Sequence, residues 1–367
     1  MNYENLHEIV RRYAENYARI NNAENDEIFK WRAVHRFQQE WFADENSDLD
    51  FAELFAKAKS ECSVLIDNST VSPANGIVKM AQEEPEEVER LFRETLFADD
   101  GGDLALRQKH MEEFLAGIEA VRLKHFPGFW KYNQDRHAVS CYLSLYAPEQ
   151  NYIYKYTPAE VFARYIEFGK DIGSGDRFSL ENYYEMCDLV VEALQEHPNL
   201  LSAYRRLLDE TCYHDESLHL LAFDVIYCAS TYGLFSGLQH KSKKESIKAH
   251  TLEQLQKEEA AKIQEQIDAL EIKIQALDAQ LDVYRSINLL GTRVTQKQYG
   301  VGTVVWQDVN MIRVKFASEE KAFTINAKFM FRPSFEDDTE IVAAMTDYEE
   351  KCKERNSLHK QLEKLCN

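Results

Sequence analysis

Residues 134–156 read QDRHAVSCYLSLYAPEQNYIYKY, and whether this run is helix or strand decides the architecture of the first two-thirds of the chain. Ala138 to Leu145 and Tyr152 to Tyr156 are short, aromatic and rich in β-prone side chains, with Ala147, Pro148, Glu149, Gln150 and Asn151 between them as a turn. That composition predicts a β-hairpin. On both sides of it the hydrophobic period is helical. Ile28, Trp31, Val34, Phe37 and Trp41, then Phe51, Leu54, Phe55 and Ala58, recur at intervals of three and four and mark core faces. Asp50 before Phe51 and Pro85 before Glu86 and Glu87 mark helix starts. Helical patterning resumes over Pro158 to Phe168, Leu180 to Glu196, Asn199 to Glu210 and Leu218 to Tyr232. Residues 1–240 are therefore expected to form one α-rich α+β body containing a β-hairpin.

Past Lys241, Lys243, Lys244 and Lys248 the pattern changes twice. Ala260, Ile267, Ile274 and Leu281 fall on the a positions of a heptad repeat, and Ile263, Leu270, Leu277 and Tyr284 on the d positions. A helix with so narrow an apolar seam needs a second helix to cover it, so 241–290 reads as a basic linker followed by a coiled-coil helix. Residues 291–334 shift to β-branched and aromatic side chains with turn signals at Gly300, Gly302 and Val309-Asn310, which predicts a small β-barrel. In 335–367, Ile341, Met345, Tyr348, Cys352, Leu362 and Cys366 keep helical intervals, so a final helix is expected to return along the coiled coil. A homodimer would cover the same seam. The expected fold class is mainly α, with an α+β body, a coiled-coil arm and a barrel.

The 367 residues carry 43 Lys plus Arg against 63 Asp plus Glu, a net charge of −20, which excludes a uniformly basic nucleic-acid-coating protein. Residues 1–240 hold −19 of this, from 23 basic and 42 acidic side chains, whereas 291–334, with seven basic and three acidic, is +4. Strand alternation over Met311 to Phe316 places Ile312, Val314 and Phe316 on one face and Arg313 and Lys315 on the other. With Arg293, Lys297 and Lys321 these two cations form the candidate nucleic-acid-binding or partner-binding patch. The expected partner is DNA, RNA or a nucleic-acid-processing protein complex. The rival is a purely protein-binding role, in which the acidic body mimics nucleic acid or docks a basic partner. Seven cysteines with no Cys-x-x-Cys pair argue against a disulfide framework. No apolar run approaches the roughly 18 to 20 residues of a membrane span, and the first residues have no signal-peptide pattern, so a cytoplasmic protein without a membrane partner is expected.

Two resemblances sharpen these expectations. Gly291, Val294, Tyr299, Gly300, Gly302 and Val304, then Ile312, Val314, Phe316, Lys321 and Phe323, resemble the SH3-like or Tudor-like modules at the C-termini of some bacterial helicases and in polymerase-binding proteins of the CarD type. The likeness covers about 44 residues and implies recognition of nucleic acid, RNA polymerase or another protein. Gln134 to Leu143 with Tyr146, Pro148 and Tyr152 to Lys155 looks like a region upstream of the AAA+ motor in McrB-like restriction ATPases, which implies a setting in defence against foreign DNA. The phosphate loop of those motors does not occur in this sequence, so NTPase activity is not implied.

Chemistry-bearing clusters are sparse, and a non-enzymatic adaptor with no cofactor is expected; a metal-dependent hydrolase or nuclease is the third class. Cys212, His214, Asp215, Glu216 and His219, with Cys228 beyond, have no usual zinc spacing and read better as a helix start capped by Asp215 or Ser217. Glu271-Ile272-Lys273 sits on the heptad helix and Glu319-Glu320-Lys321 on a turn, neither in the buried setting that metal-dependent chemistry needs. Phe126 to Tyr132 reads as a buried turn whose aromatics close the core, rather than as a base-stacking loop. Gly169 to Asp176 is glycine-dense enough for an anion nest, but its aspartates favour a plain connector.

Overall fold

A computed structural model describes residues 1–67, 70–285, 288–296, 298–308, 311–324 and 339–366. Helix α1 (Tyr3–Ile20) starts where the Asn2 side chain accepts the Asn5 N–H, and it buries Leu6, Ile9, Tyr13 and Ile20. Helix α2 (Phe29–Trp41) buries Trp31, Val34, Phe37 and Trp41, and α3 (Phe51–Ala58) begins at Asp50, whose carboxylate accepts the Glu53 N–H. After α4 (Ser63–Ile66), helices α5 (Pro73–Glu83) and α6 (Pro85–Arg90) both open on proline. A π-helical turn, Leu91–Leu96, follows and sets Phe92 among Phe51, Phe55, Phe114 and Tyr142. Helix α7 is Leu104–His125.

The expected hairpin does not form. Its first arm is helix α8 (Arg136–Tyr146), buried continuously from Ala138 to Leu145 and capped by Asp135, which accepts the Ala138 N–H at 2.9 Å. A helix buried on every side has no amphipathic period, so its apolar run matches a buried strand by pattern alone. The second arm, expected over Tyr152 to Tyr156, joins no strand: 151–154 is buried without a partner strand, and Tyr156 already begins the next helix. Side chains take the place of a strand partner. The Tyr154 N–H donates to Ser140 Oγ at 2.8 Å and the Tyr152 N–H to the Tyr184 hydroxyl at 3.3 Å. The Ile153 carbonyl accepts from the Tyr183 hydroxyl at 2.6 Å, and the Gln150 carbonyl from Arg107 at 2.6 Å.

Helices α9 (Tyr156–Tyr165), α10 (Leu180–Gln195), α11 (Pro198–Leu207) and α12 (His219–Thr231) complete the body, with α12 packed against α1, α9 and α10. One buried ionic group joins α2 to α12. Lys30, 2 % exposed, donates to Glu27 and, at 2.6 Å, to Asp224, while the Tyr13 and Tyr232 hydroxyls donate to Asp224 and Glu27.

Helix α13 (Lys243–Arg285) crosses the division between two compact units, Met1–Thr251 and Leu252–Asn367. In the second unit Ile263, Ile267, Leu270, Ile274 and Leu281 are buried, whereas Leu252, Leu255 and Ile272, off the heptad seam, are exposed. On α14 (Thr339–Cys366) the positions shielded from solvent include Ala344, Tyr348, Lys351, Arg355, Leu358, Leu362 and Leu365, a run of alternating four- and three-residue steps. Tyr284, Ile341, Met345 and Cys366 lie outside the described side chains. The β-rich segment is a four-stranded antiparallel meander of β1 (Arg293–Gln296), β2 (Gly300–Gln307), β3 (Met311–Phe316) and β4 (Glu320–Thr324). Val309-Asn310 lies outside the described residues. The chain is thus mainly helical with one small sheet, and no helix among the described residues is long and apolar enough to cross a membrane.

Replacing Ser140 by Ala strands the Tyr154 N–H in the core. Urea unfolding is expected to show a loss of about 1–3 kcal/mol, the usual cost of an orphaned buried donor. An unchanged midpoint would mean that 151–154 is not held in this way.

Candidate functional site

The sheet has a closed face and an open one. Leu289, Val294, Val304, Ile312, Val314 and Phe316 form a small core, with Tyr299 and Phe323 packed against it. Gly302 sits on this side, where an added Cβ would lie 2.6 Å from Val314 and 2.7 Å from Phe316, so only glycine lets β2 approach β3 this closely. Residues directly opposite one another in an antiparallel pair share a face. Arg293 opposes Thr303 and Thr303 opposes Lys315, so one outward row runs Arg293, Thr303, Lys315 across three strands. Arg313 lies on the same face two residues before Lys315, opposite Trp306 and Ala322.

Trp306 reaches this face through a β-bulge. The register slips between Val304 and Trp306, so Val304 points into the core while Trp306, two residues on, points out. The Arg313 guanidinium lies over its ring, 4.9 Å from the centroid, and the indole remains 39 % exposed. Among the described residues no carboxylate lies within 4.0 Å of the Arg313 or Lys315 charge, although Glu320 stands opposite Lys315 in the register.

The five expected patch residues do not all converge. Arg293, Arg313 and Lys315 share the outward face. Lys321 opposes Val314 and so belongs to the core side, where its ammonium pairs with Glu319 at 2.8 Å and lies 5.6 Å from the Tyr299 ring centroid. Lys297 lies outside the described residues. Trp306, absent from the expected patch, joins it only because of the bulge.

The other candidate clusters resolve into structure. Asp215 accepts the His219 and Leu221 N–H groups and the Ser217 and Tyr204 hydroxyls, as a helix cap does. His219 Nδ1 donates to the Pro148 carbonyl at 3.2 Å, and its ring lies 4.0 Å from that of Tyr152. Glu27, Asp224 and Cys228 are the one set of described residues close enough to share a metal ion, but the Lys30 ammonium already occupies the space between the two carboxylates. The Phe126 to Tyr132 turn is not buried as expected: Phe129 is 50 % exposed and Trp130 53 %. Pro127 and Gly128 turn the chain at the end of α7, and of the four rings in the seven residues Phe126 and Tyr132 take the shielded places, edge to face with centroids 5.4 Å apart. No family model, no curated protein and no solved structure matches the chain.

Two outcomes test the buried chemistry. Lys30→Met leaves two carboxylates uncompensated in the core and is expected to lower stability by about 3–5 kcal/mol in denaturant unfolding; a loss below about 1 kcal/mol would mean that the network is hydrated. Burial pushes the His219 pKa below the ordinary imidazole value of 6.5. The unfolded chain then binds more protons than the folded one as pH falls through that value, so stability is full above it and declines below. His219→Gln is expected to flatten the decline in thermal midpoint between about pH 7 and pH 5.5, where an ordinary histidine titrates; an identical slope in the variant would remove His219 from the linkage.

Proposed function

We propose that the chain is a nucleic-acid-associated adaptor whose second unit is a coiled-coil helical hairpin carrying an SH3-like module, with the outward face of that module as the binding surface. The observation that carries this reading is the register: it lines up Arg293, Arg313 and Lys315 on one face beside the ring of Trp306. Two cations two residues apart on β3, with a third two strands and roughly 10 Å away on β1, suit a phosphate backbone, and an indole beside them suits an unstacked base. The hairpin reading is supported by two stripes of three- and four-residue spacing, one on α13 and one on α14, whose burial arises within a single chain. A setting in defence against foreign DNA is supported by the likeness of residues 134–155 alone.

A protein partner is the second reading, favoured by Val301, Val305 and Met311, which are exposed on the strands of the same sheet. Salt separates the two. The full chain is expected to bind single- or double-stranded DNA or RNA at low ionic strength with a steep salt slope. Arg313→Glu with Lys315→Glu should keep the fold while lowering affinity and reducing the slope by about 1 to 2. Absence of binding by the wild type at low salt, or an unaltered slope in the variant, would overturn the nucleic-acid reading and favour the protein one. Light scattering is expected to give the mass of one chain; a dimer would move the covering of the α13 seam to a second copy.

A further inference from the structure

Trp306 stands on β2, an inner strand of the order β1-β2-β3-β4. We propose that its indole is a stacking platform for one unpaired base, so that the outward face of the sheet takes a single strand of nucleic acid rather than a duplex; this deepens the nucleic-acid reading above and rests on it. The Arg313 guanidinium lies on one side of the ring, 4.9 Å from the centroid, and 39 % of the residue stays open. A cation held there leaves the remaining π surface to a second planar group. Outward positions around the ring are short. Thr295 opposes Val301 across β1 and β2, Thr303 lies in line between Arg293 and Lys315, and Ala322 faces Arg313 from β4. A flat base therefore meets the ring without a bulky neighbour at these positions.

A duplex does not suit the same surface. In a paired helix each base face is covered by the next pair, and only base edges are displayed, in grooves about 12 Å and 6 Å wide. Four strands at separations of roughly 4.8 Å give a face about 14 Å across. Such a face enters neither groove of an undistorted duplex, and the ring that would have to reach the base edges is on an inner strand. Charge complementarity names the occupant. Residues 291–334 are +4 within a chain of −20, and Arg293, Arg313 and Lys315 share the outward face. A polyanion that carries planar groups answers both the cations and the indole. Trp130, the other indole exposed by more than half, belongs to the acidic body and serves as the control.

Fluorescence anisotropy with the full chain at low salt tests this. The labelled probes are oligo-dT and oligo-rU of about 12 nucleotides, a DNA duplex of that length, and an abasic deoxyribose-phosphate strand of that length. A purely electrostatic patch favours the duplex, which has the denser charge. At least one of the two single strands is instead expected to bind at least about tenfold more tightly than the duplex and the abasic strand, and the tighter of the two identifies DNA or RNA as the source. Trp306→Ala is expected to lower single-strand affinity about tenfold while leaving the abasic strand and the salt slope unchanged, because the indole neutralises no phosphate. Trp306→Phe keeps a ring on the same backbone and is expected to retain most of the affinity. Equal losses in the two variants, with the abasic strand weakened as well, would mark a disturbed sheet and overturn the proposal. So would single-strand affinity unaltered by Trp306→Ala, a duplex bound as tightly as the single strands, or a loss that follows Trp130→Ala instead. If Arg313→Glu with Lys315→Glu still lowers affinity in those cases, the stacking platform falls and the nucleic-acid reading stands. Absence of binding to every probe overturns that reading and this one with it.

Discussion

A buried peptide group must find a hydrogen-bond partner, and in this protein that requirement is most demanding at residues 151–154, which cross the core without a neighbouring strand. Ser140, Tyr183 and Tyr184 supply the partners from helices α8 and α10, and Arg107 of α7 holds the Gln150 carbonyl just before them. Those four side chains fix how the helices approach the segment and one another. They also account for two buried tyrosines whose rings alone would be served as well by phenylalanine. Where the segment leaves the core it turns into α9, so a cavity of about 440 Å³ beside Tyr154 is bounded by the end of the segment and the first residues of that helix.

The same economy of partners governs the ionic group around Lys30. Burying an ammonium is unfavourable by many kcal/mol unless its charge is matched, and Glu27 and Asp224 match it from a turn and from the centre of α12. The Tyr13 and Tyr232 hydroxyls then donate to the carboxylate oxygens that Lys30 does not reach. The group ties α1, α2 and α12 together, and it explains why three metal-capable side chains can lie within reach of one another without forming a metal site.

In the sheet, a one-residue slip has the larger consequence. Strict alternation from Gly302 through Val304 would place Trp306 in the core; the bulge at Val305 turns it out to meet Arg313. The chemistry of the open face, cation beside indole, is therefore a product of local backbone irregularity rather than of composition.

By itself the sequence determined the features that depend on local period and capping. The helices begun by Asp50 and Pro85, the core stripe from Trp31 to Trp41, the seam from Ile263 to Leu281, the outward direction of Arg313 and Lys315, and the cap at Asp215 are each set by neighbours a few residues away. Only the tertiary structure decided the rest. Whether Ala138 to Leu145 is helix or strand depends on what surrounds it, because complete burial erases the periodic signal that separates them. Lys321 left the cation patch and Trp306 joined it because register is fixed by strand pairing and the bulge, which hydrophobic pattern does not report. The cavity at Arg136 and Tyr154 is made by residues up to 40 positions apart, brought together when the 151–154 segment found its hydrogen bonds in side chains that only the folded core could present.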